Sequence, residues 1–226
     1  MDIRLWVALD VSGRQAADNI LEAIWPHRDV KIGMELFYSL GPGYVAALAA
    51  QGYRIFLDLK CHDIPRTVAR AVGAVSGLGA EMLTVHAAGG YDMLNQARQA
   101  AGTMAIIAVT ALTSLDDQSL HDVGISSGTV GELVGASARV AQRAGVAGLV
   151  CAAGEVARLK REWPGARLVV PGIRLPGDDV GDQRRISTPA EAVRLGATDL
   201  VIGRAVVQAS NPKAELKRVV AALSHP

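Results

Sequence analysis

Eight short runs of β-branched and aliphatic residues recur along the 226-residue chain, and this repetition restricts the fold more than any other feature. They are Leu5 to Leu9, Asp29 to Gly33, Arg54 to Leu59, Met82 to Val85, Met104 to Val109, Gly148 to Val150, Leu168 to Val170 and Asp199 to Ile202. Between them lie Ala-rich stretches of helical period, among them Val45 to Gln51, Thr67 to Leu78, Gly131 to Ala144 and Ala205 to Leu223. Proline marks several helix starts: Pro42 after Gly41, Pro65 before Thr67, and Pro189 after Thr188. Eight strand-helix units of about 28 residues each predict an α/β fold, a (β/α)8 TIM barrel forming one domain over residues 1–226. A doubly wound open sheet would not normally use eight such evenly spaced strands in one domain.

Composition agrees with a layered aliphatic core. Half the residues are apolar, yet the aromatics are only 3 Trp, 4 Tyr and 2 Phe, so Ala, Val, Leu and Ile must fill the interior. Lys plus Arg is 23 against 22 for Asp plus Glu, which leaves no net field to attract nucleic acid or an anionic membrane. Any anion site is therefore local. The start, Met1-Asp2-Ile3-Arg4, leads into a short apolar run ended by Asp10, unlike a signal peptide, and no apolar run reaches membrane-spanning length. Two cysteines, Cys61 and Cys151, do not indicate a disulfide scaffold. The expectation is a soluble cytoplasmic protein.

Two intervals are longer than the barrel needs. Thr110 to Gly128 follows the fifth strand, and Gly172 to Ser187, with Pro176, Gly177 and Gly181, follows the seventh. Long loops at strand C-termini are where such barrels build their sites.

Alternation shows which side chains can meet. In the third strand Ile55, Leu57 and Leu59 share one face and Phe56, Asp58 and Lys60 the other. Asp29, Lys31 and Gly33 share a face of the second strand, Ala8 and Asp10 of the first, Thr84 and His86 of the fourth, and Val201 and Gly203 of the eighth. If the aliphatic faces pack on helices, Asp10, Lys31, Asp58 and Lys60 converge in the barrel mouth, with Asp63 just beyond. Each element also has a plainer reading. Asp-x-Lys fits a structural ion pair, and Asp10 fits a turn cap. Lys31 is harder to dismiss, because a lysine inside an aliphatic strand is seldom buried without a partner. His62 and His86 have no metal-ligand spacing, so no metal is expected, and Cys61 reads as a packing residue.

A second cluster points to phosphate. Val201-Ile202-Gly203-Arg204 ends the last strand and opens the last helix, where backbone N–H groups and a guanidinium can face an anion. Pro171-Gly172-Ile173-Arg174 ends the neighbouring strand, and barrels often hold phosphate at these two positions. Arg184 and Arg185 read as solvated loop charges.

The segment Asp58-Leu-Lys60-Cys-His-Asp63-Ile-Pro65 closely resembles orotidine 5′-phosphate decarboxylases of the bacterial type. Ala8-Leu-Asp10, Lys31-Ile-Gly33, Thr110-Ala-Leu-Thr113-Ser114, Pro171-Gly-Ile-Arg174, Gly181-Asp-Gln183 and Val201-Ile-Gly203-Arg204 extend the resemblance over essentially the whole chain. It implies decarboxylation of orotidine monophosphate to uridine monophosphate, with no metal or organic cofactor, in a homodimer with active sites shared between subunits. By the same resemblance Lys60 protonates C6, Asp58 sits beside the substrate carboxylate, and Lys31 ties the aspartates together. Asp63 reaches in from the partner subunit with Thr67 nearby, while Asp10 and Lys31 approach the ribose. Thr113 would hold the pyrimidine edge, Gln183 would bridge base and phosphate, and Arg174, Gly203 and Arg204 would serve the phosphate. Binding there would drive closure of the Gly172 to Ser187 loop.

Departures from the family pattern are small. Ala205 stands where proline is usual, and Leu175 displaces a proline often found directly after the arginine. Two rivals share the barrel. Magnesium-dependent enzymes acting on sugar phosphates carry the same Asp-x-Lys-x-x-Asp motif but need an acidic ligand on the second strand, where this chain has Lys31. A barrel that binds uridine monophosphate without catalysis is the other.

Overall fold

Successive parallel strands require a crossover between them, and the Ala-rich helical stretches supply it. The computed structural model describes residues 3–123, 128–175 and 187–223. Among the described residues the strands are β1 (Arg4–Ala8), β2 (Asp29–Gly33), β3 (Arg54–Cys61), β4 (Met82–His86), β5 (Ala105–Val109), β6 (Gly148–Val150), β7 (Arg167–Val170) and β8 (Asp199–Ile202). They pair in parallel in sequence order and close into a barrel, β1 meeting β8 with Arg4 opposite Asp199 and Val7 opposite Ile202. The (β/α)8 TIM barrel predicted from strand spacing is therefore the fold.

Strand alternation divides the apolar residues into two cores. The inward set is Trp6, Ala8, Phe56, Met82, Ile107, Val169 and Val201. Outward residues such as Val7, Ile32, Ile55 and Leu57 pack under the helices, whose buried faces include Leu21 and Ile24 of α1 (Arg14–Ile24) and Val68 and Val72 of α4 (Pro65–Ser76). With few aromatics available, Trp6 and Phe56 fill the wide centre of the barrel edge to face, ring centroids 5.8 Å apart.

Below this plug the N-terminal end is closed by charge. The Trp6 indole N–H donates to Asp199 at 2.8 Å, and Arg167 spans Asp199 at 2.6 Å and Glu81 at 3.0 Å. Arg4 completes the group on Glu81, and Arg54 pairs with Asp29 alongside. Partly buried charges tolerate this position because each has an opposite partner.

The helices are α1, α2 (Met34–Leu40), α3 (Pro42–Ala50), α4, α5 (Gly90–Ala100), α6 (Asp117–Asp122), α7 (Val130–Arg143), α8 (Ala153–Glu162), α9 (Pro189–Leu195), α10 (Arg204–Val207) and α11 (Pro212–Leu223). The insertion after β5 carries α6, with Asp116 accepting the Ser119 N–H at 2.9 Å as its cap. Thr129 and Glu132 cap α7 reciprocally. The stretch Ala205 to Leu223, read from sequence as one helix, is two. Pro212 disfavours helical backbone at Asn211, and the Asn211 side chain accepts the Ala214 N–H at 3.0 Å, starting α11 afresh.

The β6–β7 contact is close. A Cβ at Gly148 would lie 2.1 Å from the Arg167 carbonyl oxygen, a backbone atom that cannot move without disturbing the floor network. Gly148→Ala is expected to destabilise the barrel by about 1–3 kcal/mol or more. Urea unfolding of the two proteins checks this, and an unchanged midpoint would refute the packing account.

Candidate active site

The inward faces that begin at the charged floor end at a charged mouth. Asp10 follows β1, Lys31 and Gly33 lie on β2, and Asp58 and Lys60 on β3. They border a cavity of about 580 Å³, well within the range of small-molecule sites. Phe56, Val169 and Val201, the top of the interior plug, form its apolar base.

Asp58 is the hub. Its Oδ2 accepts from the Lys60 ammonium at 2.8 Å and lies 3.4 Å from that of Lys31, while its Oδ1 accepts the Thr84 hydroxyl at 2.9 Å. Lys31 also donates to Asp10 at 3.0 Å. Burial alone would raise the Asp58 pKa, but the two ammonium charges and the hydrogen bonds from Lys60 and Thr84 hold it below the usual aspartate value. Burial alone would lower that of Lys31, which is 7% exposed, yet Asp58 and then Asp10 carry it above the usual lysine value. The cluster is thus held fully ionised at these two positions around neutral pH.

Lys60 departs from regular strand geometry. Its φ is +48°, a left-handed value found at no other non-glycine residue among those described. The register between β3 and β4 shifts at this point: Leu57 lies opposite Leu83, and Cys61 opposite Val85. Such a conformation costs about 1–3 kcal/mol and persists only where neighbours enforce it. Here the Lys60 N–H donates to the Thr84 hydroxyl at 2.9 Å while its ammonium is tied to Asp58. On the rim, His62 and His86 stand with ring centroids 5.5 Å apart. Burial, then His62 and Lys60, push the His86 pKa below the usual histidine value, so at neutral pH it adds no charge beside Lys60.

The loops after the later strands complete the lining of the cavity. Gly172 and Arg174 come from the loop after β7, Gly203 and Arg204 from the end of β8, and Thr113 from the loop after β5. The Arg174 N–H donates to the Ser187 carbonyl at 3.0 Å and the Ser187 N–H to that of Gly172 at 3.3 Å, which ties together the two ends of the rim loop. The Arg174 side chain is buried, one Nη held by the Ile173 carbonyl at 2.8 Å.

The structure thus brings Asp10, Lys31, Asp58, Lys60, Thr113, Arg174, Gly203 and Arg204 to one cavity. Asp63 and Thr67 do not join them within this chain. Both are exposed outside the cavity, and Asp63 Oδ1 accepts the N–H of its neighbour Ile64 at 2.7 Å. Gln183 lies outside the described residues. The expectation that Gly203-Arg204 opens the last helix needs correction, because α10 is a single turn and the long helix starts only at Pro212. Among the described residues, Arg174 and Arg204 are the arginines that line the cavity. A Cβ at Gly203 would meet Ala8 and Asp10 only at ordinary contact, 3.5 Å.

Sequence reading gave no role to two residues. Gly33 leaves room for the ion pair, since a Cβ there would lie 3.2 Å from Asp10 Oδ1 and 3.4 Å from Lys31 Nζ. Thr84 is the hydroxyl partner of both Asp58 and Lys60. Its signal was available, as a hydroxyl on the inward face of an aliphatic strand.

A family profile described as "Orotidine 5'-phosphate decarboxylase / HUMPS family" matches residues 4–219. The orotidine 5′-phosphate decarboxylase of Pseudoalteromonas translucida is 44% identical, the match covering 96% of this chain and 95% of that protein. That of Klebsiella pneumoniae is 45% identical, with 96% and 91% covered. Among solved structures, the orotidine 5′-phosphate decarboxylase of Lactobacillus acidophilus superposes with a TM-score of 0.88 at 35% identity, over 98% of this chain and 99% of that one. The enzyme from Pyrococcus horikoshii OT3, at 23% identity and a TM-score of 0.80 over 98% and 100% of the two chains, shares the fold. A profile match spanning all eight strands, together with full-length relatives above 40% identity, shows that the chain belongs to the orotidine 5′-phosphate decarboxylase / HUMPS family.

Proposed function

We propose that this protein decarboxylates orotidine 5′-monophosphate to uridine 5′-monophosphate and CO2, the last step of UMP synthesis, without metal or organic cofactor. The observation that carries the reading is the Lys60 ammonium held at 2.8 Å from a partly buried Asp58 at the mouth of the cavity. Lys31 supports it too, occupying the β2 position where a magnesium-dependent relative acting on sugar phosphates needs a carboxylate.

When the bond from C6 to the carboxylate carbon breaks, its electron pair stays on C6 in an orbital in the ring plane. The ring π system cannot delocalise that charge. A fixed cation beside C6 lowers the barrier electrostatically, and Lys60 Nζ, oriented by Asp58, then delivers the proton that completes uridine monophosphate. Lys60 regains a proton from solvent after product leaves. Lys31 keeps Asp58 ionised next to the substrate carboxylate, so the departing group leaves a site of like charge. Asp10 and Lys31 face the ribose, Thr113 the pyrimidine edge, and Arg174, Gly203 and Arg204 the phosphate end, while the family resemblance assigns Gln183 to bridging base and phosphate.

The reading further assigns the protein to a homodimer in which Asp63 and Thr67 complete the partner's site. Their exposure, beside an Ile64 that is 68% exposed, supports a covered rim. The whole chain, residues 1–226, acts as one barrel domain. No disulfide joins Cys61 and Cys151, which fits the cytoplasm, and among the described residues no helix is long and apolar enough to cross a membrane.

Loss of orotidine monophosphate absorbance, followed directly in the presence of a chelator, is expected at full rate. Absence of turnover, or recovery only on adding magnesium, refutes the proposal. Lys60→Ala should abolish turnover while uridine monophosphate still binds in calorimetry, and a near-normal rate would remove Lys60 as proton donor. Arg204→Ala is expected to raise KM for the nucleotide by about 10-fold or more through loss of a charge-assisted contact, with unchanged kinetics excluding it from the phosphate end. Mixed Asp63→Ala and Lys60→Ala proteins, each inactive alone, should regain activity in hybrid dimers. No recovery despite confirmed subunit exchange would argue against a shared site.

A further inference from the structure

We infer that Thr84 is a positioning residue for the reaction, its hydroxyl holding the Asp58 carboxylate and the Lys60 backbone in the arrangement that aims the Lys60 ammonium. The inference rests on the decarboxylase reading of this cavity. Thr84 lies on β4, fully buried, and does not line the cavity, so it acts only through the residues it touches.

Three facts converge on its hydroxyl. The oxygen accepts the Lys60 N–H at 2.9 Å and donates its own proton to Asp58 Oδ1 at 2.9 Å, a relay that uses both capacities of the group. It stands inside the β3–β4 register shift, between Leu83 opposite Leu57 and Val85 opposite Cys61. Lys60 is also the residue with the left-handed backbone, φ +48°. Such a conformation persists only where neighbours enforce it, and relaxation to an ordinary strand would move the backbone from which the ammonium is aimed. One hydroxyl therefore fixes the backbone at one end of the Lys60 side chain and, through Asp58, the partner of its other end. Asp58 Oδ1 being occupied by Thr84 leaves Oδ2 for the two lysines.

Packing alone would require only the shape of threonine, which valine reproduces. Positioning requires the hydroxyl, which serine reproduces. Thr84→Val and Thr84→Ala are expected to lower kcat for orotidine monophosphate by about 10- to 100-fold, the usual effect of displacing a catalytic group by a fraction of an ångström to one ångström. KM and the calorimetric affinity for uridine monophosphate should stay within about threefold, because the phosphate and ribose contacts are untouched. Thr84→Ser should return kcat to within about threefold of the parent. Amide hydrogen exchange at Lys60 supplies a readout independent of turnover: at least a tenfold acceleration in the valine and alanine variants, and near-parental protection with serine. The alanine variant leaves space for water and stands in should valine not fold.

The inference is overturned if the valine and alanine variants keep kcat within twofold, if serine is as impaired as valine, if nucleotide affinity falls in step with kcat, or if Lys60 exchange does not change. A parent protein with no orotidine monophosphate turnover removes the decarboxylase reading instead. The Lys60 amide then decides by itself whether Thr84 holds that backbone.

Discussion

A ring of parallel strands closed on itself has no edge, and every inward side chain must fit a space of fixed width. The rest of this molecule follows from that closure. One parity along each strand is committed to the interior, and it runs from floor to mouth. On β1 the sequence is Arg4, Trp6, Ala8 and then Asp10; on β3 it is Arg54, Phe56, Asp58 and Lys60; on β8 it is Asp199, Val201 and Gly203. Charge closes the bottom, apolar bulk fills the middle and charge returns at the top. The apolar level separates the two charged groups, so the floor network serves closure and the mouth is left for a ligand.

Burying charge at the mouth is tolerable only if the charges satisfy one another. Asp10 and Asp58 bring two carboxylates, Lys31 and Lys60 two ammonium groups, joined through Asp58 as the common acceptor. Within the proposed reaction the arrangement directs the Lys60 side chain through fixed partners rather than through water. Arg174 and Arg204 line the same cavity, and within the proposed reaction they would take the anionic end of the substrate. A chain whose net charge is only +1 can hold such a site because the average conceals strong local separation.

Much of this was legible in the sequence, for identifiable reasons. The strand runs, the inward parity of Asp58 and Lys60, and the convergence of Asp10 and Lys31 on the mouth follow from a period of two and from the spacing of eight units. What escaped was whatever departs from period. The bulge at Lys60 and its positive φ are invisible to an alternation that assumes a regular strand, although the alternation still put Lys60 at the mouth. Thr84 shared the inward parity with His86, but only the register shift brings its hydroxyl under Lys60. Within Ala205 to Leu223 the helical period runs through Pro212, and the capping by Asn211 decides that the chain breaks there.

By itself the sequence determined the number of strands, the face each presents inward, and the residues that could reach the mouth, because these depend on local periodicity and chain length. Only the tertiary structure decided which of those residues touch. Asp58 becomes the acceptor for two lysines and a threonine, Gly33 clears space for Asp10 and Lys31, and Asp63 stands apart from the cluster. These outcomes depend on register between strands distant in sequence and on a local backbone conformation enforced by a neighbour, and neither is encoded in the period of any single strand.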